Sequence, residues 1–380
     1  MEGAVVTKKN SVILAAALLA GATAFLAPAA SAQPTILIGQ SAALTGTQAN
    51  FGKEIRDGGL ALFEEVNRQG GIHGRRVQLI TLDDGGNEAK AKENAQRLIN
   101  EHKVLALFGF ISRPSSVAGA KVASEARIPF IGPFSGTPAL YKYDPYIFTV
   151  RASYDDELYS MVNQLVMTGH KRIGFAYLND ARAVNVPLVE KLLAAHGLKP
   201  ALLIGLDRTS GEVKEQVKTL VEANPEVLLA LANNVPLTAL TREARRAGNA
   251  TPFWIVSFVD SSQMVKDLGP LAQGQVFAQV VPLPTRRNLR VVKEYQRDYR
   301  VKFPNSQLSF TSLEGYIAAR TLAEGLRRTG PHLTRERLAR TLDVLRVDLG
   351  DFWIDYTQES HAGSRFVDLT IVNKDGQFLN

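Results

Sequence analysis

The chain predicts an α/β protein built as two doubly wound lobes with a ligand cleft between them. Three observations predict it. Short β-branched or apolar runs alternate with amphipathic helical stretches along the chain, a pattern that builds mostly parallel sheets covered by helices on both faces. The alternation occurs twice, once before about residue 150 and once after it, each time with enough strands for a sheet of its own. No Gly/Ser-rich linker separates the halves; "FTVRASYDDE" instead reads as a strand leaving one lobe for the next.

The strands, in order, are "TILIGQ", "RVQLITLD", "VLALFGF" and "IPFIGPF", then "RIGFAYL", "ALLIGL", "EVLLALAN", "FWIVSFV" and "QVFAQVV". Each is short and apolar and is bounded by turn residues, as buried parallel strands are. Between them lie helices with readable ends. One runs from about Gly52 to Asn67 and closes at Gly70-Gly71, and a second spans Glu88 to His102. A third spans Asp155 to Thr168 before Gly169, and a fourth Pro187 to His196 before Gly197. Glycine ends a helix well because it accepts the left-handed conformation.

The first 32 residues read differently. Lys8 and Lys9 precede the apolar run "SVILAAALLAGATAFLA", and Ala30-Ser31-Ala32 supplies small residues at cleavage spacing. This is the pattern of a secretory signal peptide cleaved after Ala32. An uncleaved anchor is the alternative, disfavoured by Pro28 and the cleavage triplet. The mature chain is expected in the periplasm, soluble. Its composition is that of a globular protein, 45% hydrophobic and 21% charged over 380 residues. It has no cysteine, so its core must hold it without disulfides, and a lipidated N-terminal cysteine is excluded. The net charge of +7 raises nucleic acid or membrane binding as possibilities. The arginines are scattered, however, with small knots at Arg242, Arg245 and Arg246 and at Arg286, Arg287 and Arg290. They read as solvated helix faces, and no nucleic-acid partner is expected.

Several motifs invite chemistry and give way to structural readings. "GGIHG" (70–74) follows a helix and precedes a strand, the reverse of a dinucleotide fingerprint, so it reads as a helix stop and turn. Asp83 and Asp84 end a strand without a His, Glu or third Asp at ligand spacing, which favours capping and turn roles over a metal. The six histidines show no metal-ligand spacing, and neither metal nor cofactor is expected. The serines of "SFVDSS" and "PFSGT" lie outside any G-x-S-x-G elbow. A hydrolase is the least favoured reading, though triads are defined by geometry more than by spacing.

What remains is a set of strand-to-helix turns rich in hydroxyls and pre-helix prolines. "SRPSS" puts Pro114 at a first helical position, with Ser115 in the same turn. "SGTPAL" has Thr137 as cap and Pro138 next, and "VNVPLVE" repeats the arrangement at Pro187. Any one of these turns is ordinary capping. Several facing one cleft present free backbone N–H groups to a small carboxylate.

Over its whole mature length the chain resembles the periplasmic solute-binding proteins of branched-chain amino-acid ABC importers. The resemblance rests on "ILIGQSAALTGTQANFGKEIRDGGLALFEEVNRQGGIHGRRVQLITLDDGGNEAKAKENAQRLI", followed in order by "IPFIGPFSGTPAL", "YIFTVRASY", "REARRAG" and "SLEGYIAA". It implies a type I periplasmic binding fold whose lobes close on a ligand like a hinged trap. It also implies site residues: Phe51 as an aromatic wall, Phe134, Ser135 and Gly136 as the loop holding a ligand's carboxylate and amine, and Phe310 near a further aromatic position. Three positions depart from the family pattern. Arg113 stands where a carboxylate-binding serine is usual, Arg182 where an aromatic precedes glycine, and Ser257 where a glutamate binds the ligand's ammonium. An α-amino acid needs that acceptor, because an unpaired buried charge costs several kcal/mol, roughly. The departures therefore favour an organic acid, a dicarboxylate or an aromatic carboxylate, over leucine or valine.

The expected protein is a monomeric, non-enzymatic carrier that hands its solute to an inner-membrane ABC permease. Its expected lobes are 33–150 with 282–346, and 151–281 with 347–380, joined by crossings near residues 150, 281 and 347. A ligand-sensing receptor of the same fold is the alternative; it would need a later membrane span, as a repressor would need a DNA-binding segment in front of the first lobe.

Overall fold

A computed structural model describes residues 1–3, 35–358 and 360–380. The expected leader, from residue 4 onward, and its expected cleavage site after Ala32 lie outside the described residues. The first lobe opens with β1 (Ile36–Ala42), α1 (Ala49–Arg68), β2 (Val77–Asp83), α2 (Glu88–Asn100), β3 (Ala106–Phe108), α3 (Arg113–Glu125), β4 (Phe130–Ile131) and β5 (Ile147–Phe148). The second follows with α4 (Tyr154–Met167), β6 (Ile173–Leu178), α5 (Arg182–Ala194), β7 (Leu202–Leu206), α6 (Lys214–Ala223) and β8 (Val227–Leu231). It continues through α7 (Asn234–Arg246), β9 (Phe253–Ile255), α8 (Ser261–Leu268) and β10 (Val276–Gln279). The remaining chain forms α9 (Arg290–Lys302), α10 (Phe310–Thr329), α11 (Arg335–Asp343), β11 (Arg346–Asp348), β12 (Trp353–Asp355), β13 (Asp368–Val372) and β14 (Phe378–Leu379). No helix of the described residues is long and apolar enough to cross a membrane.

The first sheet is all parallel in the order β2-β1-β3-β4-β5. The second runs β14-β13-β10-β9-β8-β6-β7, parallel from β10 to β7, with β13 and β14 antiparallel at the far edge. Both sheets are apolar on both faces, so each is sandwiched between two helical layers. In each sheet the strand order reverses at one place, between β1 and β3 and between β6 and β8. At such a switch point the outgoing loops diverge to opposite faces and leave a crevice at the strands' carboxyl ends, where open α/β sheets bind ligands. Four helix starts face these crevices: α1 and α3 in the first lobe, α5 and α7 in the second.

Helices α9, α10 and α11 pack back onto the first sheet, where Tyr295, Tyr316 and Leu338 share a core with Ile38, Phe108 and Phe148. The chain does not leave this lobe at residue 347, as the sequence led us to expect. The β11–β12 hairpin carries Ile354 and Tyr356 into the same core, and Thr149 pairs with Ala362; pairing with the second sheet starts only at Asp368, opposite Gln279. The apolar pair Ile354 and Tyr356 finds an unfilled surface beside Phe148 before the chain crosses. Among the turns, Pro114 is the second residue of α3, and Pro138 opens a single 3₁₀ turn over Pro138–Leu140. Pro187 does not start a helix: α5 begins at Arg182 and holds Pro187 inside it. Pro187 is solvent-exposed, so its helix gives up one backbone hydrogen bond where water replaces the partner. Asp83 and Asp84 do bind their turn: Asp83 accepts from Leu44 N and Thr45 Oγ1, and Asp84 from Ser41 Oγ and Gly86 N.

Candidate functional site

The first-lobe wall is built at the ends of β1, β3 and β4. Beyond β3 the chain turns into α3 through Ser112, which adopts φ 75° and ψ 157° and makes no capping bond with its side chain. Ser116 Oγ donates to Phe110 O. The hydroxyls of Ser112 and Ser115 are at most 3% exposed as residues and have no partner, and Arg113 Nε is likewise buried and unpaired. Three unmet donors thus gather in the first turn of a helix, whose own free N–H groups already favour an anion. Beyond β4, Phe134 N donates to Phe110 O and Tyr154 N donates to Gly136 O. A Cβ on Gly136 would lie 2.6 Å from Tyr154 N, so only glycine lets this loop hook onto the start of α4. Ser135 Oγ lies 3.4 Å from the Tyr154 hydroxyl.

The second-lobe wall comes from the ends of β6, β7, β8 and β9. Phe258 meets Phe51 at 6.0 Å and Tyr154 at 6.2 Å, and Phe51 meets Phe134 at 5.5 Å, all edge to face. This aromatic chain joins the lobes, and polar contacts reinforce it. Asn50 Nδ2 donates to Asp260 Oδ2 at 2.6 Å, and Arg113 Nη2 lies 3.3 Å from Asp180 Oδ2. Arg208 also binds Asp180, at 2.7 Å. Burial tends to raise Asp180, but the bonds and charges of Arg208 and then Arg113 outweigh it and hold the carboxyl below its ordinary range. Two spaces open along this seam. A cavity of about 590 Å³ lies between the start of α1 and the α7–α8 face, lined by Asn50, Phe51, Asn233, Thr238 and Asp260 among others. A smaller one of about 30 Å³ is lined by Arg113, Thr137, Tyr154 and Asn185. Arg208 and Phe258 line both.

The expected site residues fall into separate groups. Phe51 and Arg113 line the two cavities and Phe134 packs on Phe51, while Ser115, Ser135 and Gly136 line neither cavity. Arg182 is not among the lining residues. It is the exposed first residue of α5, donates to the Tyr177 hydroxyl and stacks over that ring at 5.4 Å. The 3₁₀ turn Asn179–Ala181 precedes it and presents Asp180, not Arg182, to the cleft. Ser257 is also drawn elsewhere: its N–H and hydroxyl both donate to Glu157, at 2.7 and 2.8 Å, and its oxygen accepts from Arg151. Arg151, wholly buried, pairs with Glu157 at 3.1 Å and with Glu314 at 3.4 Å. Phe310 packs edge-on against Phe378 at 5.5 Å and shares a void of about 10 Å³ with Ser257, Glu314 and Phe134.

Sequence reasoning missed Arg208, Asp260 and Glu54. The signals were modest: Arg208 follows a strand in "LDRTS", and Asp260 precedes "SSQM" as a helix cap. Asp260 does cap α8, accepting from Gln263 N at 2.9 Å. Burial raises its carboxyl, and burial together with the Asp260 charge raises that of Glu54 to about 8. Among the described residues no cluster of His, Cys, Asp or Glu could hold a metal.

Comparison with known proteins agrees with this architecture. Residues 35–377 match the family described as periplasmic binding protein. A substrate-binding periplasmic protein from Ralstonia solanacearum is 30% identical, covering 90% of this chain and 99% of its own, with a TM-score of 0.86. A possible leucine/isoleucine/valine-binding protein from Rhodopirellula baltica SH 1 is also 30% identical, with 92% and 97% coverage and a TM-score of 0.86. In sequence, the leucine-, isoleucine-, valine-, threonine-, and alanine-binding protein of Pseudomonas aeruginosa is 21% identical over 273 residues, 71% of this chain and 72% of that one. Two wound lobes, helix starts converging on the seam between them, and a match over nearly the whole described length make this chain a member of the periplasmic binding protein family, with the type I fold.

Proposed function

We propose that the protein is an exported carrier, cleaved after Ala32, that captures a small carboxylate-bearing solute between its lobes and delivers it as a monomer to an inner-membrane ABC permease. The observation that carries the solute class is the trio of buried, partnerless donors at the start of α3: Ser112 Oγ, Ser115 Oγ and Arg113 Nε. Leaving such groups unmet costs about 1–3 kcal/mol each, and a carboxylate entering the cleft meets them together. The two lobes swing on the crossings and close on the solute, because the contacts with it exist only in the closed form. The closed contacts Asn50–Asp260 and Arg113–Asp180 support that reading.

Calorimetric titration of the mature chain with benzoate, adipate and leucine tests the class. An acid should bind more tightly than leucine. Arg113→Ala should weaken that acid by about 1.5–3 kcal/mol, and Arg113→Lys should recover part of the loss, since an ammonium lacks the planar fork. Equal affinities in all three proteins would remove Arg113 from the site. A second reading, an α-amino acid whose ammonium meets Asp260, is favoured by that carboxylate's place in the cavity wall; leucine binding more tightly than every acid would establish it.

A further inference from the structure

The first turn of α7 faces the larger cavity without a side-chain cap. Asparagine at a helix cap normally accepts from the N–H two or three residues on. Here the third residue is Pro236, which has no N–H, and Asn233 turns its side chain to Arg208 instead: Nδ2 donates to Arg208 O at 3.2 Å, and Oδ1 accepts from Arg208 Nη1 at 3.4 Å. The backbone N–H groups of Asn234 and Val235 are left without acceptors. A second, independent feature points the same way. Thr238, one turn further on, lines the cavity at 8% exposure, and its hydroxyl has no partner. A helical threonine usually satisfies itself by donating to the carbonyl four residues back; this one does not. Arg208, shared with the smaller cavity beside Arg113, adds a cation between the two helix starts. Glu243 of α7 and Asp260 and Asp267 also line this cavity, with Arg208 and Arg242 as its cations; the Asp260 carboxylate is engaged by Asn50 and by the Gln263 N–H.

Resting on the carboxylate reading above, we propose that the start of α7, with Thr238 and Arg208, is a second acceptor site for the same solute, so that the protein selects an acid carrying a carboxylate at each end. One carboxylate sits at the start of α3 by Ser115 and Arg113. The chain of the solute passes Phe258 and Arg208, and the other carboxylate meets the Asn234 and Val235 N–H groups and the Thr238 hydroxyl.

The test compares acids of matched length on the mature protein: adipate against hexanoate, and succinate against butanoate, by titration calorimetry. At least one dicarboxylate should bind about tenfold or more tightly than its partner, the effect of one hydrogen bond to a charged group. Thr238→Val, which keeps the shape and removes the hydroxyl, should reduce that preference and leave the monocarboxylate unchanged. Ser115→Ala should weaken both acids. Equal affinity within each pair, or Thr238→Val weakening both members alike, would overturn the second site while leaving the carboxylate reading intact. No binding by any of the four acids would overturn the second site, and no binding of benzoate either would overturn the carboxylate reading as well.

Discussion

Arg151 shows how one side chain governs both lobes. It lies at the first crossing, fully buried, with Glu157 of the second lobe and Glu314 of the first on either side. Two carboxylates around one guanidinium leave an excess of negative charge, and burial raises Glu314 to about 7, against the lowering pull of Arg151. Removing the guanidinium would strand both carboxylates in a dry site. Arg151→Ala is therefore expected to cost about 3–5 kcal/mol, the usual penalty for breaking a buried pair, read as a lower urea midpoint. A loss under 1 kcal/mol, roughly, would mean that water reaches the cluster. The same cluster occupies Ser257, whose hydroxyl is committed to Glu157.

Helices α1 and α10 cross backbone to backbone. A Cβ on Gly58 would lie 2.0 Å from Ser312 O, and one on Gly315 2.3 Å from Ile55 O, distances that no side-chain rotation relieves. This crossing carries Glu54 and Asn50 at one end of α1 and Phe310 and Thr311 at the start of α10, so it sets the height of the cleft floor. Gly315→Ala should destabilise the protein by about 1–3 kcal/mol or more, as overpacking does, with a fall in melting temperature. Gly211→Ala, where the nearest atom is 3.7 Å away, is the control that should change little. The first of these helices was expected from about Gly52 to Asn67 and spans Ala49–Arg68. Their closeness is not legible in the sequence: glycine in a helix reads only as a weak former until its neighbour is known.

At the scale of the whole molecule, Glu54 of α1 feels the charge of Asp260 from the second lobe. The groups around Glu54 offer it no cation: Asp57 lies on the same helix, held by Arg56; Ser309 and Thr311 from α10 give hydrogen bonds; and Tyr295 and Tyr299 from α9 stay neutral. In the folded protein Glu54 keeps its proton up to about 8, whereas an unfolded chain releases it near 4.5. Between those values the folded state binds more protons, so stability is greatest below the ordinary carboxyl range and falls as pH rises through about 8. Melting temperature measured from pH 5 to pH 9 should decline in the native protein, and Glu54→Gln should flatten that decline. An identical profile for the variant would mean that the two carboxylates never approach.

Strand and helix identity, the doubled α/β alternation and the turn roles of Asp83 and Asp84 could all be read along the chain, because each depends on neighbours a few residues away. The helix start at Arg113-Pro114 was legible for the same reason. The cleft itself was not. Arg182 and Arg208 both follow a strand, and only the 3₁₀ turn at Asn179–Ala181 and the stacking on Tyr177 send one outward while Asp180 holds the other in the seam. The hairpin of β11 and β12 stays with the first lobe because Ile354 and Tyr356 find an apolar surface there, and that surface is assembled from residues some two hundred positions away. Local periodicity reports which face of an element is apolar; which other element covers it, and which charges the cover brings together, are properties of packing between distant segments.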